Sequence, residues 1–336
     1  MTIRAFISGC SGLSLSSDEV AFFKKFQPWG LILFNRNCDT PTQIKTLTRQ
    51  FRDAVERRDA PVFIDQEGGR VQRLGPPHWP RYPQARAFGD LYKRNATLAV
   101  RTPRNIGRLM AKDLFDLDIT SSCLPVLDVP QAGAHDVIGN RAYDLRPETI
   151  VILANAHTSG LLDGGVLPVM KHIPGHGRSM VDSHHDLPVV KTKRMELEIV
   201  DFFPFAALAN MPMAMTAHVV YEALDAENPA TLSRKIIRDV VRKVIGFQGL
   251  LMTDDLSMKA LGGSLEEKVA RAYDAGCDMV LHCNGVFDEM QAVGSAATLL
   301  SAKTARRAKA ALKMRRKPLA FDEKQAMRDL EAILGS

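Results

Sequence analysis

The 336-residue sequence has little cysteine and no long apolar run. Its five cysteines are odd in number and widely scattered, and no C-x-x-C spacing occurs. This argues against a disulfide framework or a structural zinc site and suits a reducing compartment. No apolar stretch approaches the roughly 20 residues of a membrane-spanning helix, and the first residues do not resemble a signal peptide. We therefore expect a soluble cytoplasmic protein with no membrane partner.

Signatures of nucleotide and nucleic-acid binding are also scarce. Neither a G-x-G-x-x-G motif nor a Walker loop follows any predicted strand. The net charge of +6 comes from residues 303–317, which carry eight Lys and Arg and no acid. No aromatic residue interleaves with these charges, so base stacking has no support. We interpret the segment as the solvated face of a surface helix and expect no nucleic-acid partner, although contact with nucleic acid is the alternative.

Short apolar runs alternate with amphipathic segments along the chain. Runs that are almost continuously apolar indicate strands buried on both faces, as in a parallel sheet. Eight strands alternating with helices predict an α/β fold, a single (β/α)₈ TIM barrel with irregular strands, in one domain over residues 1–336. The predicted strands are 5–9, 30–34, 61–65, 123–129, 166–172, 213–218, 249–254 and 279–283.

Most of the predicted strands end in polar residues. Active sites of such barrels lie at the carboxyl ends of the strands and on the loops that follow. An apolar barrel with a polar rim at this end predicts a cleft for a polar ligand. The strand-end residues are Asn35-Arg36, Asp65-Gln66-Glu67, Asp128, Lys171-His172, His218, Asp254-Asp255 and Asn284.

The sequence TDD at 253–255 ends the seventh predicted strand. Adjacent strand residues point to opposite sides, so only one of the two aspartates is expected to face the site. Such a carboxylate can act as a nucleophile or stabilise an oxocarbenium-like transition state. The alternative is an N-cap for a helix beginning at LSMKAL, which fits Asp255 better and leaves Asp254 to act.

A second candidate group follows the third predicted strand. The segment DQEGGRVQRL, residues 65–74, supplies Asp65 at the strand end, a Gly-Gly turn, and two arginines that include Arg73. A carboxylate beside guanidinium groups can hold sugar hydroxyls through charge-assisted hydrogen bonds. Structural ion pairing is an equally good interpretation. Arg141 lies in another loop after a strand and could reach the same cleft.

The stretch KHIPGHGRSMVDSHHDLP, residues 171–188, gathers four histidines, two aspartates and a lysine. Lys171 and His172 end a strand, and the glycines around His176 permit a loop. Asp182 lies two residues before His184, so its carboxylate could orient the imidazole and make an acid/base pair. A metal site and a solvated loop without a role are the alternatives, but the histidine spacing matches no metal motif.

Together these motifs resemble glycoside hydrolase family 3, specifically its bacterial β-N-acetylhexosaminidases. The resemblance covers nearly the whole chain and rests above all on KHIPGHG…DSHHDLP followed by TDDLSM. Other segments occur in family order: GLILFNRN, FIDQEGGRVQRL, LPVLDV, GNRAY, MTAHVVY, PATLS and AGCDMVLHCN.

The resemblance implies hydrolysis of terminal β-linked N-acetylglucosamine with retention of configuration and without a metal or other cofactor. It assigns Asp254 as the nucleophile, His184 as the general acid/base and Asp182 as the partner of His184. It assigns Asp65, Arg73, Arg141, Lys171 and His172 to sugar binding.

The implied substrate is the N-acetylglucosaminyl-1,6-anhydromuramyl (muro)peptide of peptidoglycan recycling, and we expect a monomer. The family usually has an acidic and then a small residue after PGHG, where this chain has Arg178-Ser179. A phosphorylase is the alternative enzyme, since a neutral imidazole would not repel an incoming phosphate. A barrel that binds sugar without catalysis is the alternative outside enzymes.

Overall fold

The apolar runs of the sequence form eight parallel strands that close into a barrel, in which each strand pairs with its neighbours in chain order. The computed structural model describes residues 2–181 and 186–335. We number the barrel strands β1 Arg4–Ser8, β2 Pro28–Leu33, β3 Val62–Ile64, β4 Ser121–Ser122, β5 Leu167–Ile173, β6 Met213–Thr216, β7 Leu250–Asp255 and β8 Met279–His282. The predicted (β/α)₈ barrel with irregular strands is confirmed.

Several of the helices begin at a residue whose side chain caps them. Ser16 and Glu19 form a capping box at the start of the first helix, and Ser264 and Glu267 form another at the start of the helix that follows β7. The α-helices are α1 Ser17–Phe26, α2 Pro41–Ala54, α3 Ala85–Arg94, α4 Ala96–Asp116, α5 Pro147–Asp163, α6 Arg194–Ile199, α7 Phe203–Ala207, α8 Leu265–Ala275, α9 Phe287–Ala296, α10 Ala302–Lys313 and α11 Glu323–Leu334. Residues Ile236–Val244 form a π-helix, and short 3₁₀ turns span Asn35–Asn37, Gly139–Arg141 and Ala230–Leu232.

The fourth strand differs from its predicted range, 123–129. Regular pairing is confined to Ser121–Ser122, and the following segment contains a cis Leu124–Pro125 peptide. Pro125 has no N–H to donate, so a continuous ladder cannot form there. The segment nevertheless follows β5, because Lys171 N donates to Pro125 O at 2.9 Å and Leu127 N donates to Lys171 O at 2.7 Å.

Two short ribbons and a basic helix complete the ends of the barrel. Gln66–Gly68 pairs with Val71–Gln72, and Val189–Val190 pairs with Val220–Tyr221. At the amino-terminal end of the strands, Ala308 and Ala311 of α10 pack into the same apolar cluster as Trp29, Met213 and Met279. Across residues 2–181 and 186–335, no helix combines the length and hydropathy needed to cross a membrane.

Candidate active site

The carboxyl ends of the strands surround a cavity of about 240 Å³. One wall is apolar and consists of Ile32, Phe34, Val71, Val137, Ile138, Met215, Met258, Leu281 and Cys283. The rest is strongly polar and consists of Asp65, Glu67, Arg73, Arg141, Lys171, His172, His176, Asp254 and Asp255. Six of the residues predicted from the sequence therefore line one cavity: Asp65, Arg73, Arg141, Lys171, His172 and Asp254. The first and the last of them, Asp65 and Asp254, are 189 positions apart in the chain.

Lys171 connects two carboxylates from the segment that follows β3. Its ammonium Nζ lies 2.9 Å from Asp65 Oδ1 and 2.6 Å from Glu67 Oε1. Burial opposes ionisation of Lys171, but the charges of Asp65 and Glu67 outweigh burial and raise its pKa. The cation is thus held in a fixed position at the end of β5, from which it also faces the cavity.

Asp65 is held from two sides. Arg73 Nη2 donates to its Oδ2 at 2.8 Å, while Lys171 occupies Oδ1. Burial opposes ionisation of Asp65, yet Lys171 and Arg73 together lower its pKa well below the usual value. The ion pairing considered from the sequence is therefore present, and both partners also line the cavity. A carboxylate has about four acceptor positions, so Asp65 can still accept ligand hydroxyls.

A hairpin turn delivers Arg73 to this position. Gly68 and Gly69 have φ values of +95° and +59°, a conformation that favours glycine. A Cβ on Gly68 would also lie 2.2 Å from Pro83 O. Gln66 closes the hairpin, since its Oε1 accepts the backbone N–H groups of Arg73 and Leu74 at 3.0 Å each.

Glu67 was not selected from the sequence as a site residue, although it lies in the same post-strand motif. Arg141 binds it in a bidentate manner, with Nε to Oε2 and Nη2 to Oε1 at 2.9 Å each. Burial opposes ionisation of Glu67, but Arg141 and Lys171 lower its pKa. Only 4% of Glu67 is exposed, so this pair is desolvated as well as bidentate. The signal in the sequence was the two-residue spacing from Asp65, which places both side chains on one side of the strand.

Asp128 is a second residue that sequence reasoning named only as a strand-end polar group. Its Oδ2 lies 2.7 Å from His172 Nδ1. Its Oδ1 accepts the backbone N–H groups of His172 at 3.2 Å and His176 at 2.6 Å. Burial opposes ionisation of Asp128, whereas His172 lowers its pKa. One buried carboxylate therefore fixes both the end of β5 and the start of the following loop.

The two aspartates at the end of β7 have different surroundings. Asp255 Oδ1 accepts the N–H groups of Ser257 and Cys283, and its Oδ2 accepts the Ser257 hydroxyl at 2.6 Å. Among the described residues, Asp254 Oδ1 accepts only the Asp255 N–H, at 2.8 Å. Burial opposes ionisation of Asp254, but His172 and other neighbouring groups lower its pKa.

Two expectations about this aspartate pair need correction. Both aspartates line the cavity, because the pairing register shifts between Met252 and Asp255 and breaks the strict alternation. In addition, no helix begins at LSMKAL, where the chain forms turns before α8. Asp255 stabilises that turn instead of capping a helix.

Arg178 anchors the loop that follows β5. Its Nε donates to Asp201 Oδ2 at 2.7 Å, and its Nη1 lies 2.9 Å from Glu196 Oε1. Burial raises the pKa of Asp201 to about 6 even though Arg178 opposes the shift. The preceding Gly177 packs closely on the β4 loop, where a Cβ would lie 2.1 Å from Val129 O. The departure from the usual acidic residue thus creates an ion pair at the base of this loop.

Asp182 and His184, selected from the sequence as the acid/base pair, lie outside the described residues. Within residues 2–181 and 186–335, no group of three or more His, Cys, Asp or Glu side chains has a metal-binding arrangement. The polar half of the cavity instead places carboxylates beside ammonium and guanidinium groups. Such neighbours offer acceptors and donors together, as a ligand with many hydroxyls requires. The fold and the cavity thus define a (β/α)₈-barrel protein with a site for a polar ligand.

Comparison with known proteins identifies the family. The family model described as the glycosyl hydrolase family 3 N-terminal domain matches residues 9–316. Because the match covers most of the chain, this protein belongs to glycosyl hydrolase family 3.

Individual relatives agree with this assignment. A β-hexosaminidase of Alkalilimnicola ehrlichii is 39% identical over 288 residues, covering 84% of this chain and 82% of the relative. NagZ from Neisseria gonorrhoeae is 31% identical, with a TM-score of 0.85 and coverage of 100% of this chain and 96% of NagZ. Its complex with N-trifluoroacetyl-D-glucosamine gives a TM-score of 0.86 at 31% identity, with the same coverage. The prediction of a glycoside hydrolase of the β-hexosaminidase type is confirmed.

Proposed function

We propose that this protein is a retaining exo-β-N-acetylglucosaminidase that forms a glycosyl-enzyme intermediate on Asp254. The observation that carries the proposal is the state of the Asp254 carboxylate in the cavity. Its Oδ1 accepts one backbone N–H, and no donor within residues 2–181 or 186–335 bonds to Oδ2. A lowered pKa keeps the group ionised. An ionised carboxylate with an uncommitted oxygen is what attack on an anomeric carbon requires.

The ion-paired residues opposite Asp254 hold the sugar in this proposal. Asp65, Arg73, Arg141, Lys171 and His172 bind its hydroxyl and acyl groups through charge-assisted hydrogen bonds. Asp65 pairs with Arg73 and Lys171, Arg141 pairs with Glu67, and His172 pairs with Asp128. These contacts fix the five side chains before the substrate arrives, so little side-chain entropy is lost on binding. The NagZ complex with N-trifluoroacetyl-D-glucosamine supports a pyranose with an N-acyl group as the ligand.

His184 protonates the leaving oxygen and later deprotonates the attacking water, with Asp182 as its partner. This assignment rests on the D-S-H motif and on the family resemblance. An imidazole with a pKa near neutrality is suited to both steps. The proposed physiological substrate, again from the family resemblance, is the GlcNAc-1,6-anhydroMurNAc (muro)peptide of cytoplasmic peptidoglycan recycling. The enzyme would act on it as a monomeric, single-domain protein without a metal or other cofactor.

Hydrolysis of 4-nitrophenyl N-acetyl-β-D-glucosaminide tests the activity directly. We expect nitrophenol release that persists in EDTA and a first-formed sugar product with the β configuration by NMR. D254A should abolish turnover, while the matched variant D255N should retain most of it, because asparagine can keep the contacts of Asp255 to the Ser257 and Cys283 N–H groups. Undiminished turnover in D254A would refute the assignment.

The same assay distinguishes a hydrolase from a phosphorylase. Product analysis with and without millimolar phosphate should show free N-acetylglucosamine in both cases. Sugar 1-phosphate as the main product would overturn the hydrolase proposal, and ligand binding without turnover would favour a non-catalytic barrel.

A further inference from the structure

A second cavity, of about 630 Å³, lies at the opposite end of the barrel from the candidate active site. Its position follows from the residues around it. Trp29 is the second residue of β2, Thr120 precedes β4, and Leu300 donates its N–H to Ile3 O just before β1. The cavity therefore lies at the amino-terminal ends of the strands, beneath α10. Its volume is in the range of pockets that hold small organic ligands.

The floor of this amino-terminal cavity is apolar. Trp29 is only 2% exposed and packs against Phe63 at 5.7 Å between ring centroids. Ile3, Leu300 and Leu312 extend the apolar surface toward α10. An apolar body of a ligand would find a preformed surface here, formed mainly by the partly exposed Ile3, Leu300 and Leu312 over the buried ring of Trp29.

The rim of the cavity is positively charged. Arg57, Lys309, Lys313 and Arg315 line it, whereas Asp59 is its one acidic lining residue among those the structure describes. Arg57 and Arg315 are partly committed, since they donate to Trp29 O at 3.2 Å and to Gly165 O at 2.9 Å. Both guanidinium groups keep their charge but direct donors at backbone carbonyl groups, so the cationic groups most available to a ligand are those of the two lysines.

Lys309 and Lys313 are four residues apart on α10, so they lie on one face of the helix. Both are exposed, and neither forms an ion pair with any acid in the described ranges. Like charges at this spacing repel each other. An anionic group between them would relieve the repulsion and place its attached body over the apolar floor.

From this arrangement we infer that the amino-terminal cavity binds an amphipathic monoanion. The apolar part contacts Ile3, Leu300 and Leu312 above the Trp29 ring, and the carboxylate or sulfonate lies between Lys309 and Lys313. This assigns a use to part of the basic segment 303–317 that glycoside hydrolysis does not explain. The inference is independent of the proposed function, because the two cavities lie at opposite ends of the barrel.

Fluorescence titration with 8-anilino-1-naphthalenesulfonate, an amphipathic monoanion, tests the inference on the full chain. We expect saturable binding of one probe per protein, with energy transfer from Trp29 in a W79F background. Decanoate should displace the probe, whereas decyltrimethylammonium, with the same alkyl chain and the opposite charge, should not. Displacement by both compounds would overturn the role of the lysines.

Two variants locate the site. K309E/K313E should weaken probe binding at least tenfold, and A305W should block the cavity without changing charge. The matched control K303E/R306E makes the same charge change on α10 at residues that do not line the cavity, and should bind within twofold of the wild type. Unchanged binding in A305W, equal loss in the control, or binding only to anionic vesicles or duplex DNA would each refute the proposed site. Thermal melting of each variant verifies that it is folded.

Discussion

The carboxylate of Asp128 lies 2.7 Å from Nδ1 of His172 through Oδ2, and both residues are almost fully buried. The other oxygen of Asp128 accepts two backbone N–H groups of the β5 end and its loop. The contact therefore couples the orientation of an imidazole in the cavity to the path of the chain beyond it. A site that is ordered before its ligand binds requires such contacts, in which residues behind the ligand-binding side chains hold them in position.

Replacing Asp128 with asparagine should weaken both effects. The neutral amide is a poorer acceptor for three donors, so we expect a loss of about 1–3 kcal/mol in the free energy of unfolding. Turnover of the nitrophenyl substrate should fall about 10-fold to 100-fold, because His172 is no longer held in one orientation. Urea unfolding and steady-state kinetics measure the two losses. Wild-type kcat/KM in a destabilised variant would show that Asp128 is merely structural.

A double-mutant cycle at Glu67 and Arg141 can show whether the two residues act on the substrate as a pair or independently. Glu67→Gln and Arg141→Lys should each lower kcat/KM about 10-fold to 100-fold, as expected for the loss of a charge-assisted hydrogen bond in a desolvated site. The double variant should lose much less than the product of the two effects, since each residue acts through the other. A double-mutant cycle on kcat/KM measures the coupling. Strictly multiplicative losses would contradict a functional unit.

The sequence was sufficient for the barrel and for the position of the polar cavity, since periodicity and strand-end polarity are local features of the chain. It was not sufficient for the contacts between residues distant in the chain. Lys171 and Glu67 are 104 positions apart, and nothing local to either shows that one ammonium group joins two carboxylates. The fourth strand was misplaced for a different reason, because Pro125 has no N–H to donate and regular pairing is confined to Ser121–Ser122. The different hydrogen bonding of Asp254 and Asp255 depends in part on Cys283 N, which follows the next strand.

Because Arg178 pairs with Asp201, replacing Arg178 by the acidic residue usual in the family should strongly destabilise this protein. Arg178→Glu would place a carboxylate beside Asp201, which is 1% exposed, and beside Glu196. Removing one partner of a buried pair costs about 3–5 kcal/mol. The loss should be larger at pH 7.5 than at pH 5, because the pKa of Asp201 is about 6 in the folded wild type and the carboxyl is protonated below it. Urea unfolding at both pH values measures this difference.

A control variant makes the Arg178 prediction specific. Arg178→Glu/Asp201→Asn removes the buried charge, so its stability should recover at pH 7.5 and depend less on pH than that of Arg178→Glu. If both variants were equally unstable at the two pH values, repulsion with Asp201 would not be the cause.

The buried, neutral His157 should make the folded protein less stable in mild acid. It is fully buried, with Nδ1 2.9 Å from the Tyr143 hydroxyl, and burial lowers its pKa to about 3. Between pH 6.5 and 3 the unfolded chain binds a proton at this imidazole and the folded protein does not, so stability falls as pH falls. The contribution is about 2 kcal/mol between pH 7 and pH 5. His157→Gln should reduce the difference in unfolding free energy between these pH values by that amount, whereas His78→Gln, at an exposed histidine, should leave it unchanged.

The most direct test of the account is the chemical identity of the covalent intermediate. An N-acetylglucosaminyl fluoride with a second fluorine at C5 should slow both formation and hydrolysis of a glycosyl-enzyme, so that the intermediate accumulates. Mass spectrometry of the intact protein should then show one added sugar, and fragmentation of the peptide GLLMTDDLSMK, residues 249–259, should place it on Asp254. A label on Asp255 or another residue, or a label of equal yield in Asp254→Asn, would contradict the account.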